Sequence, residues 1–294
     1  MTSTSNTTPT TVVALDQLLA AVGELRTAGR WERASHLLAA AAGGTPAARA
    51  PLARAAAEVA LEQDWFAGTD SAGARITDAE KEFPDGDWDV AFLRLRHTYA
   101  GLLVVDGTLR FGPRGKDPQA LTALRDRARE LQEEAPDAVR RGWAAMYLGL
   151  ITDNHFADRE AAPAHYAAAL KAGEDGRDDL LAREALRHLG GHDHDAGDHE
   201  AAGERWRRAT ALGARAGTVP GTLSQQLLLA VLARDTGDEA GARALATEIA
   251  RWARAIGADR LCAQATGFLA GVDPTAGPED PEAAGHIKDP EATD

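Results

Sequence analysis

The sequence has one cysteine in 294 residues, Cys262, which excludes an intramolecular disulfide framework and any zinc site built from cysteines alone. Aromatic residues are scarce at 5%, and the β-branched aliphatics amount to 11 Val and 5 Ile. Strands draw on those residue types, so a sheet-dominated fold is not expected. Ala, Leu, Arg and Glu, the strongest helix formers, carry the chain instead. No stretch approaches 18 uninterrupted apolar residues, so no membrane span or membrane partner is expected. Lysine is also rare: Lys81, Lys116, Lys171 and Lys288 are the full set. Nearly all basic charge is therefore arginine, a bias that fits a GC-rich bacterial genome better than a selected chemistry. Basic charge as a whole is in deficit, with 32 Lys and Arg against 45 Asp and Glu. Nucleic-acid binders neutralise phosphates with basic surface, so direct nucleic-acid binding is not expected either.

Both ends read as tails. Residues 1–11 are rich in Ser, Thr and Asn, contain Pro9, and lack the charged n-region of a secretory signal. Residues 272–294 carry Pro274, Pro278, Pro281 and Pro290 among their carboxylates and almost no bulky apolar groups. Such stretches cannot bury enough surface to offset ordering entropy. The expectation is one helical domain over 12–271 between disordered tails, in a cytoplasmic protein.

Within that domain the pattern is helical and recurrent. Leu15, Leu18, Leu19, Val22 and Leu25 repeat at three and four, the spacing of one helix face. Gly29 breaks the run, and Trp31, Ala34, Leu37, Leu38 and Ala41 resume it. The same unit returns as Leu186, Leu189 and Gly190, a break at Gly197-Asp198, then Ala202, Trp206 and Ala209. It returns again as Leu229 and Ala230, a break at Gly237-Asp238, then Ala242, Ala246 and Ile249. Paired helices recurring at a period of this size mean a solenoid.

The segments Gly29-Arg30-Trp31-Glu32-Arg33-Ala34, Gly197-Asp198-His199-Glu200-Ala201-Ala202 and Gly237-Asp238-Glu239-Ala240-Gly241-Ala242 resemble the turn between the two helices of a tetratricopeptide repeat. Leu189-Gly190 with Ala202, Trp206 and Ala209 is similar to the longer consensus, as is Tyr147-Leu148-Gly149 with Ala162, Tyr166 and Ala169. The resemblance implies an all-α right-handed superhelix of about six helix-turn-helix pairs, with a capping helix from Asp259 to Ala270. It is weakest over 45–85 and 86–136. It also implies a concave groove that holds a peptide or protein segment. The groove positions would be Arg26, Arg96, Asp153 and Asn154, then Glu184, Arg187 and His194, then Ser224 and Arg234, with Trp143 near the start of its helix as a further candidate. Arginines there would clamp carboxylates through bidentate bonds. The acidic tail is one segment such a groove would accept, in its own chain or in a second copy, so a homodimer is among the expected assemblies.

Two other readings stand beside the scaffold. Glu184, His188 and His192 recur every four residues and would share a helix face, where imidazole and carboxylate can hold a transition metal with His155 or Asp153 as a further ligand. That reading makes the chain a helical-repeat enzyme or a small-molecule or metal-binding protein. Against it stands a polar helix end and turn, where His and Asp are exposed and cap the next helix. A ligand-sensing regulator acting through a partner is the other reading. Leu95-Arg96-His97 echoes Leu186-Arg187-His188, and the two histidines are expected to pack at equivalent places. Cys262 sits in an apolar helical context where thiols are inert. No nucleophile elbow, phosphate loop or dinucleotide fingerprint is present, and no cofactor is expected. Gly112-Pro113-Arg114-Gly115-Lys116 follows no predicted strand and reads as a mobile connection.

Overall fold

The computed structural model describes residues 13–41, 45–105 and 108–274. The expected tail 1–11 lies outside the described residues, as does 275–294 of the expected tail 272–294. Among the described residues thirteen α-helices follow one another: α1 (Leu15–Thr27), α2 (Trp31–Ala41), α3 (Pro46–Ala67), α4 (Ala72–Glu82), α5 (Trp88–Leu103), α6 (Pro118–Glu133), α7 (Ala138–Asn154), α8 (Ala162–Gly176), α9 (Asp179–Asp195), α10 (His199–Arg215), α11 (Val219–Asp235), α12 (Glu239–Ile256) and α13 (Asp259–Leu269). Between α5 and α6, β1 (Val104–Val105) and β2 (Thr108–Leu109) form a short antiparallel ladder with Val104 opposite Leu109. These are the strands of the described residues, and the fold is all-α. None of the described helices is long and apolar enough to cross a membrane.

Part of the acidic excess has a local structural use. Asp87, Asp117, Asp137, Asp178, Asp198 and Asp238 are N-caps, each accepting from a backbone N–H in the first turn of the helix it starts. Each satisfies one of the donors that a helix start leaves unpaired. Two of these caps follow the repeat turns. Gly197 and Gly237 take φ of 81° and 92°, a region that costs a residue with a Cβ about 1–2 kcal/mol. Ala157 stands at the corresponding place between α7 and α8 and adopts φ 56° without being glycine.

Helices pair as α1/α2 through α11/α12, and the contact inside a pair depends on small residues. A Cβ on Gly149 would lie 2.5 Å from the Tyr166 ring, and one on Gly190 would lie 2.6 Å from the Trp206 ring. The backbone of the first helix therefore rests directly on the aromatic of the second. The odd-numbered helices also touch one another in succession, α1 to α3, α3 to α5, α5 to α7 and α7 to α9, and so form the inner layer of the curved stack.

The two ends of the stack meet. One apolar core unites Val22, Trp31, Leu52 and Val59 of the first three helices with Leu223, Leu227, Val231, Ile249, Leu261 and Phe268 of the last three. Arg260 donates to the Trp65 carbonyl at 3.1 Å, and α13 packs on α3 as well as on α12. The capping helix thus covers the last pair and closes onto the first ones. Of the six tryptophans, Trp31 and Trp206 are core, whereas Trp65 and Trp252 are exposed at 38% and 53%.

These contacts make a paired test. Gly190→Ala is expected to cost about 1–3 kcal/mol through overpacking against Trp206. Gly191→Ala, where a Cβ meets nothing within 4 Å, is expected to be neutral or to stabilise by up to about 1 kcal/mol. Urea unfolding midpoints measure both, and equal shifts would contradict the packing described.

Candidate functional site

The inner layer carries a line of polar side chains. Arg26 of α1 donates to Glu62 at 2.6 Å, and its Nε lies 4.0 Å from Glu58. Glu58 and Glu62 stand one turn apart on α3, and Glu62 also faces the charge of Arg96 on α5. Arg96 Nε donates to the Tyr147 hydroxyl of α7 at 3.2 Å. The Tyr147 ring meets that of Tyr99 edge-on, centroids 5.5 Å apart, and the Tyr99 hydroxyl accepts from Asn154 Nδ2 at 2.7 Å. On α9, Glu184 is paired with Arg183 and lies 3.5 Å from His188. Arg187 donates to the Ser224 carbonyl of α11 at 3.2 Å. Glu184 and Tyr99 are close enough to influence each other's ionisation. Arg26, Arg96, Asn154, Glu184, Arg187 and Ser224 are therefore brought onto one face.

Electrostatics differ along this line. Burial pushes the Glu62 carboxyl above its ordinary value despite Arg26 and Arg96. Burial also opposes ionisation of Glu184, but Arg183, His188 and Arg187 outweigh it and hold that carboxyl low. Arg26 Nε, Glu62 Oε1 and Trp31 Nε1 are buried without a well-aligned hydrogen bond, the Trp31 indole facing the Glu62 carboxyl and Arg26 Nε lying 4.0 Å from Glu58. Buried polar atoms of charged groups seldom stay unpaired without a cost.

Trp143, His194 and Arg234 make other contacts, and Asp153, although near enough to Tyr99 to act on its hydroxyl, turns to α8 and α9. The Trp143 indole donates to Asp178 at 3.0 Å and packs on Phe92. Asp153 is buried, accepting from the Tyr166 hydroxyl at 3.1 Å with His192 Nε2 at 3.0 Å. His194 pairs with Asp235 at 2.9 Å, and Arg234 with Asp273 at 2.6 Å and Asp235 at 2.9 Å. Asp153, His194 and Arg234 hold the same position in three successive pairs, and each bonds to the end of the next one. Sequence position alone placed them in the groove; the side chains instead tie the stack together.

The proposed metal ligands are divided between separate contacts. His192 is spent on Asp153. His188 stacks on Tyr166, centroids 5.0 Å apart, and His97 leans on Gly73 of α4. Both histidines thus pack on the second helix of the preceding pair, as their shared sequence context implies. His155 lies apart from Glu184 and His188, and no three metal-ligating side chains converge among the described residues. The His/Asp turn is less exposed than expected, with the His192 and His194 side chains at 15% and 13%. Glu58, Glu62, Tyr99 and Tyr147 were not among the sequence candidates. The legible signal was a carboxylate pair four apart in the Ala-rich run 55–62 of α3.

A recess also opens between α8, α9 and α10, beside Arg177, Arg208 and Arg215, away from the inner face. Arg208 and Arg215 are already paired there with Glu174 and Asp179, so it offers little free charge.

The connection before α6 is anchored. Gly112 N donates to the Asn154 carbonyl at 2.8 Å, and Lys116 Nζ donates to the Arg110 carbonyl at 2.8 Å. Lys116 Nζ also lies 2.8 Å from Nδ1 of the fully buried His155, whose Nε2 faces the Tyr99 carbonyl at 3.3 Å. A carbonyl only accepts and an ammonium only donates, so His155 is the neutral tautomer with the proton on Nε2. The reading of a mobile connection gives way to a tied one.

Burial, aided by the Lys116 charge, lowers His155 to about 4 from 6.5. Between those values the unfolded chain binds a proton that the folded chain refuses, so stability falls as the pH drops through that window, by up to about 3 kcal/mol. Asp153, held low by His192 and Arg159 against burial, loses its contribution only as the pH falls through its own depressed value, below the ordinary carboxylate range. Melting temperature followed from about pH 7 to about pH 4.5 is expected to fall less steeply in His155→Gln than in the parent. Parallel curves would remove His155 as the cause.

No family model and no curated protein matches the sequence. Among solved structures, a Rap protein complexed with Competence and Sporulation Factor superposes with a TM-score of 0.54 at 10% identity, over 87% of this chain and 69% of that one. Identity at that level speaks for the fold alone. Together with the repeat turns and the paired helices, it makes this chain a tetratricopeptide-like α-solenoid.

Proposed function

We propose that the inner face holds a segment of a protein or peptide partner, and that the chain is a cytoplasmic adaptor. The observation that carries this reading is the charged cluster on α1 and α3. Arg26 Nε and Glu62 Oε1 are enclosed beside Glu58 and the Trp31 indole, and burial pushes the Glu62 carboxyl up despite its arginine neighbours. A partner segment on this face would meet the accessible parts of Arg26 and Glu58, whose side chains are 22% and 36% exposed. The space over Gly191, one turn from Arg187 and two from Glu184, leaves room for a backbone. The solved relative in fold is itself a complex with a bound factor, which supports the same use of the scaffold here.

The arginines are already matched by Glu58, Glu62 and Glu184, which bears on partner chemistry. A purely acidic segment would have to break those pairs. A segment carrying both charge signs exchanges them, and is the partner expected.

Co-purification with quantitative mass spectrometry identifies that partner, and two variants locate it. Arg96→Ala, on the inner face, is expected to weaken association by on the order of tenfold or more. Arg234→Ala, at the end of the stack, is expected to leave it within about twofold. Melting curves confirm that both variants fold. Equal losses, or loss only in Arg234→Ala, would remove the inner-face assignment.

A further inference from the structure

The lysines occupy contrasting environments. Lys81 and Lys171 stand on exposed helix faces with Nζ 2.9 Å from Asp78 and 2.7 Å from Asp175. Lys288 lies outside the described residues. Lys116 is half-buried, and no carboxylate among the described residues pairs with it. Its two polar neighbours are acceptors, the Arg110 carbonyl and Nδ1 of neutral His155, both at 2.8 Å.

Two acceptors are what a neutral amine can serve with its two N–H bonds, leaving the lone pair free. An ammonium in the same place has a third N–H beyond those two acceptors, and no carboxylate among the described residues pairs with its charge. Burial accordingly pulls Lys116 down to about 8, while carboxylate neighbours raise Lys81 and Lys171. Desolvation of this kind, without an anion, is what turns a lysine into a nucleophile.

We propose that Lys116 is a reactive amine that accepts acyl groups from acyl phosphates, and that its acylation removes one of the two hydrogen bonds it donates while the Gly112–Asn154 tie stays in place. In the transfer, the Nζ lone pair forms a C–N bond to the acyl carbon. The C–O bond to phosphate breaks, phosphate leaves with that electron pair, and the proton shed by nitrogen passes to water. The product amide has one N–H, so either the Arg110 carbonyl or His155 Nδ1 loses its donor. The positive charge that helps keep His155 neutral is lost as well. This proposal is independent of the inner-face reading.

The test uses the native full-length chain with acetyl phosphate, followed by peptide mass mapping at low conversion. At about pH 7.5, Lys116 is expected to acetylate on the order of tenfold faster than Lys81 or Lys171. Its rate should level off above about pH 8, while theirs keeps rising. In concentrated guanidinium chloride the preference should vanish, because it belongs to the fold. Lys116→Arg confirms the mapped site. Acetylated chain should show His155 protonating at higher pH by NMR. If Lys116 in the native chain reacts no faster than Lys81 and Lys171, or keeps its preference when unfolded, the proposal is wrong.

Discussion

The middle of the stack, α7/α8 and α9/α10, depends on one close approach, the backbone of the first helix lying on the aromatic ring of its second. At Gly149 over Tyr166 and Gly190 over Trp206 there is no room for even a methyl group. That constraint sets the distance between paired helices, and the distance decides which side chains remain to reach the next pair. A lone pair could not bury its apolar face, so stability comes from stacking. The same small-over-large contact therefore serves twice, fixing each unit and presenting its remaining face to a neighbour.

Stacking by apolar surface alone leaves rotation between neighbours loosely specified, because the hydrophobic effect is non-directional. Here a polar tie recurs at one repeat position. Asp153, His194 and Arg234 differ in chemistry, yet each meets a complementary group at the end of the following unit, on His192, Asp235 and Asp273. The first junction sets a carboxylate against a histidine and the next two set a basic side chain against an aspartate. Such pairing adds little energy when exposed, but it favours one register. It also explains why three residues at groove-like positions are unavailable to a ligand.

The fold was largely legible because its determinants are local. Gly197-Asp198 and Gly237-Asp238 announce a left-handed turn and a cap, and period-3.6 apolar faces flank them. On the inner face, Arg26, Arg96, Glu184 and Arg187 were read from the sequence as groove positions, while Glu58 and Glu62 of α3, which contact Arg26, were passed over in a weakly matching segment. What the sequence did not disclose is directional. Whether His192 turns to a metal partner or to Asp153, or whether Lys116 swings free or reaches His155, depends on contacts 39 residues apart in each case. Closure of the stack was hidden for the same reason, since Arg260 and Trp65 are 195 residues apart.

Closure has a consequence for the inner face. In an open stack, charged groups on the concave side would keep their water, and Glu62 would ionise at little cost. Packing α13 on α3 and joining the first and last cores crowds that side near α1 and α3, which is where Glu62 is pushed up and where Arg26 Nε and Glu62 Oε1 lack a well-aligned hydrogen bond. Apolar residues would fill such a position more stably than a half-satisfied ion pair. Local rules broken without a compensating gain inside the molecule are where function is sought. Buried polar atoms without a well-aligned hydrogen bond also occur away from the junction, at Asp153 Oδ1, Arg183 Nε and both amide atoms of Gln225, so the junction is one such place among several.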